Sequence, residues 1–206
     1  MHARDRIRSA LRWSLASVAW TLVASTIAVA AGLAGHSLSL VAFGLVGLLD
    51  VVGSAALVWH FRDALAREAV SHGRDRATLL LIAAGMAVIA VTTGLTAIDR
   101  LLDHAPGPES LLGVLVAAPS VVALGVLGAG KRRVGRAVAS RALVADGLVS
   151  TLGAVFSSIA LVGVVANAAA HWWWLDPAGS VVIATGALGL AIAYARRPPA
   201  TEPEAG

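Results

Sequence analysis

Two of the chain's twelve acidic residues, Asp50 and Asp146, are read inside stretches made otherwise of apolar and small side chains. A carboxylate in lipid costs about 2.5–3.5 kcal/mol on insertion scales, so it usually faces a protein interior and serves a purpose there. Two purposes compete. The carboxylate can take a cation or a proton on a path through a helix bundle, or it can be a hydrogen-bonded group that only joins helices. Asp146, Ser150 and Gly153 follow an i, i+4, i+7 spacing, which puts them on one helical face. With a rise of about 1.5 Å per residue, Asp50 lies about 15 Å from the inner end of its span and Asp146 about 5 Å, near enough to reach water. The face of Asp146 therefore reads as a polar track leading inward to the level of Asp50, near Gly153. A second pairing is His72, four residues after Glu68, a spacing that can hold a metal on a helix. A solvated loop histidine is the plainer reading for it, and likewise for His2, His36, His60, His104 and His171. Cysteine is absent, which excludes disulfides and thiolate metal sites. No nucleophile–base arrangement and no phosphate-binding loop occurs, so the chain does not read as an enzyme.

These residues need elements to position them, and composition says which. Of 206 residues, 58% are hydrophobic and 14% charged, too few to give a domain of this size a polar shell. Mean hydropathy is +0.81. The apolar residues come in blocks long enough to cross a bilayer, which takes about 20 residues each. Six spans are read, at about 13–33, 38–60, 77–97, 111–129, 142–166 and 174–195. Backbone polar groups have no water partner in lipid, so each span must be helical. The expected fold is all-α, a polytopic six-helix transmembrane bundle over 13–197. A basic N-terminal segment, 1–12, precedes it and a polar, Pro-rich tail, 198–206, read as disordered, follows. Gly and Ala inside the spans allow close helix approach, and Pro119 predicts a kink in the fourth helix. The basic start and following apolar run have the look of a signal peptide, but the run is too long for a signal core.

Orientation follows from the basic residues. With the N-terminus inside, the inner segments hold 15 Lys and Arg, Lys131 among them, and the outer segments hold only Arg100. That asymmetry predicts cytoplasmic N- and C-termini. It also explains the net charge of +4 without nucleic acid as a partner. Trp172, Trp173 and Trp174 then fall at the outer boundary, where indole rings prefer to lie.

The order of these features resembles the transmembrane domain of the cation diffusion facilitator family, from about Ser37 to Arg196. SLSLVAFGLVGLLDVVGSA (37–55) is similar to the family's second helix, and SHGRDRATLLL (71–81) to the loop into the third. TAIDRLLDHAPGPES (96–110) is similar to the stretch joining helices 3 and 4. KRRVGRAVASRALVADGLVST (131–151) and WWWLDPAGSVVIA (172–184) resemble the approaches to helices 5 and 6. The resemblance implies a membrane transporter that exports a divalent cation such as Zn²⁺, in exchange for protons, and that pairs with a second copy of itself. The cation is cargo and no resident cofactor is expected. The expected location is the plasma membrane of a bacterium. It also implies a tetrahedral site of two i, i+4 pairs of His or Asp, one pair on helix 2 and one on helix 5. The matching positions here are Val46 with Asp50 and Val149 with Gly153, so Asp50 alone keeps a ligand. Asp146 matches an upstream acid in the motif ADxxH, with Phe43 opposite it on helix 2, and His72 matches one ligand of an accessory site. Asp50, Asp146 and His72 are thus the candidate metal or transport-path residues. The sequence runs about ten residues past the sixth span, which leaves no expected counterpart of the family's cytoplasmic domain. Two other readings stand beside transport of a metal: a transport-inactive relative that regulates or assembles with another membrane protein, and a carrier of a small organic cation through a greasier pocket.

Overall fold

Uninterrupted apolar sequence between short polar turns has one low-energy solution in lipid, and the chain adopts it. The computed structural model describes residues 3–66, 73–104 and 110–196. Six helices follow one another among the described residues: α1 (Ala3–Ala34), α2 (Leu38–Ala66), α3 (Gly73–Leu102), α4 (Leu111–Ala137), α5 (Arg141–Ala170) and α6 (Leu175–Ala195). All six are long and apolar enough to cross a membrane, and no strand occurs among the described residues. The helices overrun the expected spans at several ends. α1 begins at Ala3, so Arg6, Arg8 and Arg12 ride on a helix. α4 continues to Ala137, through most of what reads as the 130–141 loop. The C-terminal tail after Arg196 lies outside the described residues.

The polarity of the bundle is the reverse of a soluble protein's. Large apolar side chains such as Leu33, Leu111, Leu115 and Val122 stand exposed on the outside, where lipid solvates them. Serines, three aspartates and a lysine are buried within. The closest interfaces are α1 with α2, α4 with α5, and α3 with α6. The α1–α4 and α2–α5 contacts close the first two pairs into a four-helix ring, and α3–α6 packs against α2 and α5. Small residues make the ring tight. A Cβ on Gly44 would stand 2.7 Å from the Ser25 carbonyl oxygen of α1, and one on Gly147 would stand 2.8 Å from the Gly128 carbonyl oxygen of α4. Only glycine fits such backbone approaches. Pro119 leaves α4 continuous. Beside it Ser120 Oγ donates to the Val116 carbonyl at 2.7 Å, and Ser157 Oγ of α5 donates to the Ala117 carbonyl at 2.8 Å.

The turns at the ends are short and stereotyped. Ser110 and Ser140 cap the starts of α4 and α5, accepting from the backbone N–H of Gly113 and Leu143. His36, His104, Ala139 and His171 take left-handed φ values of 50–55° where helices end. Three of the loop histidines are thus accounted for by the backbone. His104 also lies against Trp173, with ring centroids 4.8 Å apart.

Asp176 corrects the reading that only two acids lie inside spans. It sits in the first turn of α6, 1% exposed. It accepts from Ser37 Oγ at 2.6 Å, from the Leu38 N–H at 2.8 Å, from the Ser39 N–H at 3.3 Å and from Ser39 Oγ. The carboxylate of one helix thereby satisfies the orphan donors at the start of another, and its charge favours the positive end of α2. Asp176→Ala is expected to cost about 3 kcal/mol or more, because several charge-assisted bonds vanish and their donors stay buried. Thermal unfolding in detergent reads this as a markedly lower midpoint. An unchanged midpoint would show that α2 starts without this cap.

Candidate functional site

The four positions matched to the family's ligand quartet converge in space. Val46 and Asp50 of α2 meet Val149 and Gly153 of α5 on the wall of one internal cavity, with Thr21 of α1 and Ser150 of α5 beside them. Leu124 of α4, Leu190 of α6 and the rings of Phe43 and Phe156 close it. The helical repeat explains the convergence, since i, i+4 residues share a face and the faces of α2 and α5 oppose each other in the ring. The cavity holds about 20 Å³, room for one water or one small dehydrated ion, which needs about 10–15 Å³. Its one ionisable group is Asp50, 7% exposed. Asp50 makes no hydrogen bond or ion pair among the described residues, so its oxygens are free for whatever enters. The missing side chain of Gly153 is partly made up by Leu124, whose Cδ1 would lie 3.2 Å from a Cβ there.

Asp146 does not stand where the sequence suggests. It is not a water-reaching carboxylate at the mouth of a track. It is 7% exposed, accepts from Ser54 Oγ at 2.7 Å, and has the ammonium of Lys131 2.6 Å from its Oδ2. The approach is that of an ion pair, without the alignment of a hydrogen bond. Lys131 is no loop cation. It lies on α4 and is completely buried. Its Nζ donates to Ser150 Oγ at 3.0 Å and to Ser54 Oγ at 3.4 Å. Ser150 Oγ in turn donates to the Asp146 carbonyl at 3.2 Å. The polar track along Asp146 and Ser150 exists, but an ammonium from a third helix fills it. Lys131 and Asp146 are both close enough to Asp50 to act on it electrostatically. Without Lys131, fourteen basic residues remain in the segments read as inner, and the asymmetry survives.

Two further features escaped the sequence reading. One is Lys131 itself. The other is a stripe of hydroxyls on α1: Ser14, Ser17, Thr21 and Ser25 are buried, and none of their side-chain oxygens has a hydrogen-bond partner among the described residues. Their three- and four-residue spacing is legible as one helical face, and Thr21 joins that face to the cavity. His72 lies outside the described residues. Among the described residues no group of three or more His, Asp or Glu is arranged to hold a metal.

What the arrangement can do is limited by its donors. A cavity with one carboxylate, one hydroxyl face and two valines can take a proton or a single weakly coordinated cation. It cannot offer Zn²⁺ the four nitrogen or oxygen ligands that tight tetrahedral binding requires. Compared with known proteins, residues 14–197 match the family model described as the cation efflux transmembrane domain. No curated protein matched the chain.

Proposed function

The chain belongs to the cation efflux family, and from that premise we propose that it moves a cation across the membrane along the α2–α5 interface, with Asp50 occupied in turn by the cation and a proton. The observation that supports this most is the cavity: the chain has lost three of the family's ligands, yet still builds an enclosed space around the fourth. A carboxylate kept only to join helices would be expected to have a partner, and Asp50 has none among the described residues. The end of the bundle carrying the termini and the Arg-rich connections faces the cytoplasm in this reading. The four-helix ring rocks so that Asp50 opens to either side, and net exchange of proton for cation follows because one carboxylate cannot hold both. A divalent metal binds weakly here, since Val46, Val149 and Gly153 offer it nothing.

The test is uptake into proteoliposomes with an outward proton gradient and a panel of monovalent and divalent cations. At least one cation is expected to enter faster than into protein-free vesicles. Calorimetry in detergent is expected to show no submicromolar Zn²⁺ affinity. Failure of every cation would sink the transport reading and leave the chain as an assembly or regulatory partner. Tight Zn²⁺ binding that survives removal of His72 would contradict the site as drawn.

A further inference from the structure

A lysine ammonium is an unusual thing to bury completely in a membrane bundle, and the surroundings of Lys131 say what it replaces. Asp50 and Ser54 are four residues apart on α2. Asp146 and Ser150 are four residues apart on α5. Each pair therefore shares a helical face, and Ser54 bonds Asp146 directly across the interface at 2.7 Å. Together they form a second quartet of oxygen groups, offset one helical turn from the quartet of Val46, Asp50, Val149 and Gly153 toward the basic end of the bundle. Asp50 belongs to both. The Lys131 Nζ reaches three members of the second quartet, at 2.6 Å from Asp146, 3.0 Å from Ser150 and 3.4 Å from Ser54.

We infer that Lys131 is a tethered cation that fills an oxygen site which would otherwise take a hard divalent metal, and that it thereby restricts the path at Asp50 to one unit of positive charge. The inference rests on the proposed path only in taking Asp50 as its shared group. The reasoning is electrostatic. Two carboxylates facing each other in low dielectric need two positive charges nearby. The ammonium supplies one permanently, so the formal charge left over is a single negative one. A proton or a monovalent cation balances that, whereas a divalent cation would leave an excess positive charge in lipid. The donor set agrees, because two carboxylates and two hydroxyls suit Mn²⁺, Mg²⁺ or Ca²⁺ once the ammonium is gone. Lys131 is in this sense a specificity-determining residue. The buried ammonium seated against three of the four groups, Asp146, Ser150 and Ser54, is the observation that makes the quartet a cation site, rather than a cluster of acids.

The probe is Mn²⁺, read by electron paramagnetic resonance on the detergent-purified full chain, with the native protein beside Lys131→Met. The Met side chain keeps the length and removes the charge. Lys131→Met is expected to bind Mn²⁺ at least about 100-fold more tightly than the native chain, since an unbalanced pair of carboxylates replaces a neutralised one. Adding Asp146→Asn to Lys131→Met should abolish that gain. Mn²⁺ should also raise the thermal midpoint of Lys131→Met and leave that of the native protein unchanged. A folded Lys131→Met chain with native-like Mn²⁺ binding overturns the inference. So does a chain that cannot be stabilised by Mn²⁺ at any concentration, since a competent quartet would be rescued by its metal. A second arm uses the native protein, in which Lys131 is the single lysine. With ¹⁵N-lysine labelling its Nζ signal is expected to be an ammonium protected from solvent exchange and unbroadened by Mn²⁺. A fast-exchanging signal, or one broadened by Mn²⁺, would show that the site is open and the inference wrong. Binding is measured without transport, so a protein that moves nothing can still pass or fail this test.

Discussion

Asp50→Asn is expected to reduce proton-driven cation uptake to the level of protein-free vesicles while leaving the protein folded and inserted. Asparagine keeps the shape of aspartate and most of its hydrogen-bonding capacity. It cannot carry charge or release a proton. If Asp50 only joined helices, Asn would do the same work and uptake would be unchanged. The structure makes this distinction sharp. Asp50 has no hydrogen-bond or ion-pair partner among the described residues and opens onto the cavity, so the substitution breaks no bond. The thermal midpoint should stay level or rise, with any change within about 1 kcal/mol, because a desolvated charge is removed and nothing is orphaned. Near-native uptake by a well-folded Asp50→Asn protein would remove the carboxylate from the mechanism.

The opposite balance is expected at Asp146, where stability is the large effect. Asp146→Ala leaves the Lys131 ammonium buried beside two serines with its nearest counter-charge gone. Breaking one side of a buried ion pair costs about 3–5 kcal/mol, most of it the penalty of an unpaired charge in low dielectric. The double variant Asp146→Leu with Lys131→Met removes both charges. It should recover much of that loss, since well-packed apolar residues often match a buried pair in stability. Denaturation of the single variants Asp146→Leu and Lys131→Met beside the double variant closes the cycle. If the single loss is small, the 2.6 Å pair is not an energetic unit and water or another group screens Lys131.

How much of this was legible in the residues varies with the kind of signal. The six helices were plain, because apolar blocks of this length have only one structure in lipid. The cavity followed from the alignment of Val46, Asp50, Val149 and Gly153, since i, i+4 pairs on opposing helices must meet if the helices pack. Lys131 was hidden by its neighbours. In the run Lys131, Arg132, Arg133 it looks like the first of a cluster of loop cations, and Asp146 opposite it then seems free to reach water. The signal that separates it is periodicity. Ser120, Leu124, Leu127, Gly128, Lys131 and Gly135 are the buried positions along this part of α4, and their spacing is that of one helical face. Extending that face past Gly128 puts Lys131 inside, Arg132 half-buried beside it and Arg133 outside. Asp176 was missed for a related reason. It lies at the edge of the span read at 174–195, and the donors it satisfies lie on another helix, nearly 140 residues away in the chain.

The chain contains no cysteine, so a single one placed at Gly153 reports on the cavity without any background. The position tolerates a small side chain: a Cβ would meet only the flexible tip of Leu124, at 3.2 Å. The decisive measurement is modification of Gly153→Cys in sealed proteoliposomes of known orientation by a small, charged, membrane-impermeant thiol reagent, added from one side or from the other. If the α2–α5 interface is a path that opens alternately, the thiol reacts from both sides, the transported cation slows both reactions, and modification stops uptake. A thiol that stays unreactive from both faces while uptake continues, or one reached from a single face only, would contradict the claim that the cation passes Asp50.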